Sequence, residues 1–282
     1  HGAEARPIRL QGAGAAFAFG LCLLPVLLGF VLPVLVLLRL VVLEVQAAGG
    51  PDTAGWSRFL QWGWTSLHLA LTASGLAVAL SLALAFANRV QARASLRFAT
   101  RIVSLGYAVP GAVIAVGILL PVGWLQQVAP GAGTTALVTG TTFGLLYAYM
   151  VRFSAASFQS IEAGYARLPQ SVDEAARTLG TPRRRLFLEL HAPLLRRPAL
   201  AAALLVFVDV MKELPATLLL RPFDSDTLAV VAYQLARDER LGEAALPSIA
   251  IVVVGLIPVL LLSAAIRESP TSSQASLLPA NA

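Results

Sequence analysis

The sequence predicts an all-α, multi-spanning membrane protein, and three observations carry that prediction. The chain is 57% hydrophobic and 13% charged, with a mean hydropathy of +0.75, whereas a soluble domain carries about 25% charged residues. It contains six apolar runs close to the roughly 20 residues that a helix needs to cross a bilayer core. Its arginines fall densely in every second gap between those runs and sparsely in the others, the pattern left by oriented insertion.

The six expected spans are 15–43, 65–87, 102–125, 135–157, 198–221 and 246–266. The fourth and fifth are the least plain: one carries Thr139, Thr141, Thr142, Tyr147 and Tyr149, the other Asp209, Lys212 and Glu213. Arg6 and Arg9 precede span one. Arg89, Arg93, Arg97 and Arg101 follow span two, and Arg167, Arg177, Arg183, Arg184, Arg185, Arg196 and Arg197 follow span four. Arg267 follows span six. The alternate gaps hold Arg58, no basic residue, and Arg237 and Arg240 beside several acids. Both termini and the basic loop 158–197 are therefore expected on the cytoplasmic side. Trp56, Trp62, Trp64 and Trp124 lie on or beside the opposite gaps, where indole rings anchor at an interface.

Three segments follow. Residues 1–60 hold an N-terminal tail, the first span and a Gly/Pro-rich outer link; residues 61–266 form the compact core with the basic loop; residues 267–282, rich in Ser, Pro and Ala, are expected to be disordered. The aromatic stretch 56–64 is expected to lie flat at the outer interface. The chain starts with His1 rather than Met, as a fragment or a processed product would, and the first apolar run is too long for a cleavable signal peptide. Pro110-Gly111 predicts a kink in span three. Ser74, Gly75, Ala79 and Ser81 give span two a close-packing face. Both features fit either helix packing or the lining of a pathway.

Several function classes are excluded. The lone Cys22 permits no disulfide within the chain and no cysteine metal cluster. His1, His68 and His191 share no ligand spacing, so no metal site is expected, and His68 reads as a packing or interfacial residue. The net charge of +6 does not indicate nucleic acid, because the arginines sit between apolar runs and not on one soluble face. No H-E-x-x-H, G-x-S-x-G or Walker lysine loop occurs. No catalytic residue and no cofactor are expected, and any ATP would be bound by a partner.

The basic loop holds most of the remaining information. Ser171 and Glu174 have capping-box spacing, Asp173 and Glu174 suit the positive end of a helix dipole, and Ala175 and Ala176 favour helix. Gly180 suits a left-handed cap and Pro182 a stop. A second helix is expected with Thr181 as N-cap and Pro182 at its first position, placing Leu186, Phe187, Leu190 and Leu194 on one face. A helix of about eight residues is unstable alone in water. It must pack against a partner or against the membrane surface.

Glu174-Ala175-Ala176, Gly180 six residues after the glutamate, and Leu190-x-Ala192-Pro193 resemble the EAA loop of type I ABC importer permeases. Ala192 departs from the usual leucine. The resemblance implies that residues 172–179, with Asp173, Glu174, Ala175, Ala176, Leu179 and Gly180, form a coupling helix seated in a groove of an ABC ATP-binding subunit. It extends to Val109-Pro110-Gly111, to Tyr149 through Phe153, and to Asp209 through Phe223, which resemble the C-terminal half of FbpB-type ferric iron permeases. That family fuses two such halves. This chain, with its single EAA loop, is expected to pair with a second permease half or copy.

Asp209, Lys212 and Glu213 are costly inside an apolar run, by a few kcal/mol each. Lys212, the only lysine, can meet Asp209 three residues earlier. Glu213 points about 100° away and calls for another partner, expected on the other permease half. These three residues, with Pro110 and Gly111, are the candidates for a pathway or gate; an internal ion pair that fixes packing is the alternative. Asp224, Asp226, Asp238, Glu239 and Glu243 fit either a contact with a basic patch of a binding protein or a solvated loop.

The resulting expectation is the permease subunit of an ATP-driven importer in the bacterial inner membrane, working by alternating access with a periplasmic substrate-binding protein. Ferric iron is the cargo that the resemblance implies; a polyamine, thiamine or a sulfate-like oxyanion is the alternative. An ion-driven carrier using Asp209 and Glu213 as proton sites is the rival from another class, separated by whether an ATPase co-purifies.

Overall fold

The computed structural model describes residues 10–47, 56–91 and 93–267. The N-terminal tail, the link 48–55 and the tail after 267 lie outside the described residues. Every regular element among the described residues is helical.

Helix α1 (Gly12–Ala47) and α2 (Trp56–Val90) are long and continuous. The stretch 56–64 is the first two turns of α2 and not a separate interfacial segment, because nothing between Trp64 and Thr65 interrupts the helix. Expected span three is divided. α3 (Ala94–Leu105) runs into a tight turn at Gly106–Ala108, and α4 (Gly111–Val128) starts afresh. Pro110 has no N–H to donate and drives Val109 to extended dihedrals (φ −86°, ψ 127°), so the expected kink is a full break.

Expected span four is also divided, into α5 (Thr134–Thr139) and α6 (Phe143–Tyr165). The Thr141 hydroxyl donates to the Leu137 carbonyl and accepts the Phe143 amide, offering the backbone an exit from the helix. α7 (Gln170–Thr178) follows. α8 comprises Arg183–Arg185, a π turn Leu186–His191 and Ala192–Met211. Residues 212–214 break the helix before α9 (Pro215–Leu220); α10 (Leu228–Arg237) and α11 (Leu241–Arg267) complete the chain.

The core is the three-helix contact of α2, α6 and α8. Ala70, Ala73, Ala77, Ser81 and Ala85 form a buried stripe along α2, so the backbones approach closely. Leu145, Tyr149, Phe153, Ile161, Val206 and Val210 fill the space between. α1 packs along α11 and has no buried residue.

Among the described residues, four helices are long and apolar enough to cross a membrane: Gly12–Ala47, Trp56–Val90, Gly111–Val128 and Leu241–Leu261. α6 and Ala192–Met211 have the length but more polar side chains. They are also two of the three core helices, and a helix sheathed by protein is released from the demand to be apolar all round.

Candidate functional site

Two clusters of charged and polar side chains stand out, one around Asp173 and one around Glu213. The first is built around α7. This helix starts at Gln170 after an extended Pro169, two residues earlier than the expected Val172, so Ser171 lies inside the first turn and makes no side-chain cap. At the other end, Gly180 takes the left-handed conformation (φ 73°). Its amide donates to the Arg177 carbonyl and the Thr181 amide to the Ala176 carbonyl, at 3.0 and 3.1 Å. This double closure is a Schellman cap, which a Cβ at residue 180 would strain.

Asp173 turns from α7 toward the core. Its Oδ2 accepts from Arg89 Nε at 2.6 Å, and Arg89 Nη2 also donates to the carbonyls of Leu168 and Pro169 at 2.9 and 3.0 Å. Its Oδ1 lies 3.1 Å from Nε2 of His191, within charge-contact range but bent off the line of a hydrogen bond. His191 is 1% exposed and stands against the rings of Phe86 and Tyr165. Burial lowers its pKa; the Asp173 carboxylate opposes that shift and the Arg89 guanidinium adds to it. Burial, helped by Asp173, raises the Tyr165 phenol, which stays protonated at neutral pH. Glu174, Ala175 and Leu179 face outward, with Leu179 83% exposed. α7 is therefore held from one side and bare on the other.

The π turn corrects the expected face of α8. Its extra residue per turn places Leu186 and His191, five apart, on the buried side. Leu195 continues that side, while Leu194 is exposed. Pro182 is the extended cap, not the first helical residue.

The second cluster gathers around Glu213. Its carboxylate accepts the amides of Ala216 and Thr217, each at 3.1 Å, and the Thr217 hydroxyl at 2.7 Å, so it caps α9 at the break. Tyr149 meets Thr217 Oγ1 at 2.7 Å, and Arg152 Nη1 lies 4.0 Å from Glu213. The partner expected from another chain is supplied within this one. Gly111 completes the cluster: a Cβ there would stand 2.5 Å from Glu213 Oε1 and 2.6 Å from Arg152 Nη1. The breaks in spans three and five therefore meet. Lys212 Nζ lies 3.1 Å from Asp209 Oδ1, as the spacing predicts; Asp209 is buried, and the Lys212 side chain is 62% exposed.

Of the expected residues, the structure joins Gly111 to Glu213 and Asp209 to Lys212, and leaves Glu174, Ala175, Leu179 and Gly180 on a surface. Sequence reasoning missed Arg89, Arg152, Tyr165 and His191. Arg89 counts in the sequence only as a topological charge, and its partner lies 84 residues on. In the segment from the end of α9 to the first turn of α11, Asp226 pairs with Arg221, Glu243 with Arg240, and Asp238 lies 4.0 Å from Arg237.

A helical bundle with long apolar helices, a half-bare connecting helix and a capped break in its core is the architecture of a membrane-embedded protein. Residues 77–268 match the family described as "Binding-protein-dependent transport system inner membrane component", and the chain belongs to that family. It is thus a membrane-embedded permease component and not itself an enzyme. The Fe(3+)-transport system permease protein FbpB 2 of Haemophilus influenzae is 30% identical over 122 residues, 43% of this chain and 24% of that protein. The match therefore spans about a quarter of that relative's length. A bacterial alginate ABC transporter, solved in complex with an alginate pentasaccharide-bound periplasmic protein, aligns with a TM-score of 0.62 at 15% identity, covering 92% of this chain and 99% of that one. A second alginate importer structure aligns at 0.54 with 16% identity, covering 91% and 99%. At such identities the likeness is one of fold.

Proposed function

We propose that this chain is the permease subunit of an ATP-driven importer, with six spans, both termini in the cytoplasm, and α7 as the helix gripped by a separate ABC ATP-binding subunit. The observation that carries this reading is the two-sidedness of α7: Asp173 is anchored inward to Arg89, beside His191, while Glu174, Ala175 and Leu179 form an unoccupied outward face. A nine-residue helix does not persist through its own hydrogen bonds. Its inner anchor holds it in place, and its outer face is free for a partner.

The Asp209–Lys212 pair and the Glu213 cap form the gate region. An ammonium cannot face hydrocarbon without a cost of a few kcal/mol. The exposed Lys212 therefore lies against a second permease half or a water-filled path. Glu213 is committed to four groups of its own chain, which argues against its use as a proton carrier. A periplasmic binding protein delivers the cargo. Ferric iron is the favoured cargo, supported by the likeness to the Haemophilus permease.

The test is cross-linking. In a Cys22→Ser background, Ala175→Cys in native membranes is expected to capture an ATP-hydrolysing polypeptide and to be labelled only from the cytoplasmic side. Capture of no ATPase, or labelling from outside, overturns the reading. Uptake of labelled ferric iron, compared with sulfate, thiamine and spermidine, decides the cargo.

A further inference from the structure

We propose that this chain binds one anionic phospholipid in a cleft between the end of α2, the start of α3 and the start of α8. The cleft has a volume of about 390 Å³, and its wall is mostly apolar, from Phe86, Val90 and Leu96. Gln91, Arg93, Ser95 and Arg183 supply its polar rim. No carboxylate lines it, and neither arginine makes an ion pair among the described residues. Two acids of α7 and α8 are already engaged, Asp173 by Arg89 and Glu189 by Arg185.

Two exposed guanidinium groups without a carboxylate partner attract an anion, and a guanidinium fork suits phosphate oxygens. A free phosphate would gain nothing from the apolar wall. The occupant that joins a phosphate to hydrocarbon is a phospholipid, and an anionic headgroup matches a rim with two positive charges and no negative one. The position agrees. Phe86 lies in the last turn of expected span two, and Arg93 follows a few residues beyond. Next to the cleft, α3 exposes Phe98, Ile102 and Leu105 at i, i+4 and i+7, one apolar face flanked by Arg97 and Arg101. A helix of that kind lies in the membrane interface, so the cleft has lipid at its side.

The experiment is native mass spectrometry of the full chain, released from mixed phosphatidylglycerol and phosphatidylcholine membranes. Wild type is expected to retain one phosphatidylglycerol at energies that strip phosphatidylcholine. Arg93→Gln/Arg183→Gln is expected to lose it by roughly tenfold or more, and Arg93→Lys/Arg183→Lys to retain an intermediate share. Arg101→Gln, off the cleft, should match wild type. Equal retention in the double glutamine variant, or equal loss in Arg101→Gln, overturns the proposal. Displacement of the lipid by inorganic phosphate would make this a free-anion site and also overturn it. Loss of ATPase co-purification by the double variant in pure phosphatidylcholine would assign the arginines to a protein interface instead. Thermal unfolding of each variant in phosphatidylcholine, expected to be unchanged, separates lipid loss from misfolding.

Discussion

Arg89 at the end of α2 meets Asp173 of α7 at 2.6 Å and, with the same side chain, holds the carbonyls of Leu168 and Pro169 just before that helix. One guanidinium thus ties the connecting helix to a core helix at three points. His191 of α8 stands 3.1 Å from the other carboxylate oxygen. α7 is thereby tied to α2 and set against α8, two of the three helices that form the core.

Asp173→Asn keeps the shape and removes the charge. It should cost about 1.5–3 kcal/mol of local anchoring. The expected phenotype is a lower ratio of cargo moved to ATP hydrolysed, with ATPase co-purification intact, because the outer face of α7 is unchanged. Asp173→Glu should recover part of the ratio. Purified complex in liposomes, assayed for both quantities, checks this.

His191 predicts a pH response. Burial depresses its pKa below the ordinary 6.5, so the folded chain binds fewer protons than the unfolded one as pH falls through that value. Stability therefore rises with pH across this window and is lost on acidification. Arg89, Asp173 and Tyr165 face the imidazole and set the size of the effect. Limited proteolysis of the 158–197 loop should accelerate below pH 6.5 in wild type, and less so in His191→Gln.

Gly111→Ala drives a methyl group into Glu213 and Arg152. Either the Glu213 cap or the contact of α4 with α9 must yield, at a cost of about 1–3 kcal/mol. A lower midpoint of thermal unfolding together with lost uptake is expected. Gly117→Ala, where open space surrounds the added carbon, serves as the matched control.

Lys212→Ala leaves Asp209 buried without its counter-charge. Uptake should be abolished while the ATPase still binds, since α7 lies in another part of the fold. Normal uptake in vesicles would remove Lys212 from the gate.

Charge pattern, apolar runs and the loop motif made the membrane class, the order of the helices and the Schellman-capped α7 legible. The Lys212–Asp209 pair was legible as well, because its spacing is three residues on one helix. Other features were hidden by distance or by a change of helical period. Thr141 and Pro110 turn spans four and three into pairs of helices, and a hydropathy window averages across such breaks. The π turn at Leu186–His191 moves the buried face by one residue, from Leu190 and Leu194 to His191 and Leu195.

By itself the sequence determined what is local or summed: the solvent of the chain, the placement of positive charge, and where short-range caps start and stop helices. Tertiary structure decided which distant charges meet. Arg89 finds Asp173 across 84 residues, and Glu213 finds Gly111 and Arg152 only because two broken helices cross. The physical reason is that a buried charge is stable only where partners converge in space, and that convergence is set by how α2, α6 and α8 pack and not by any spacing along the chain.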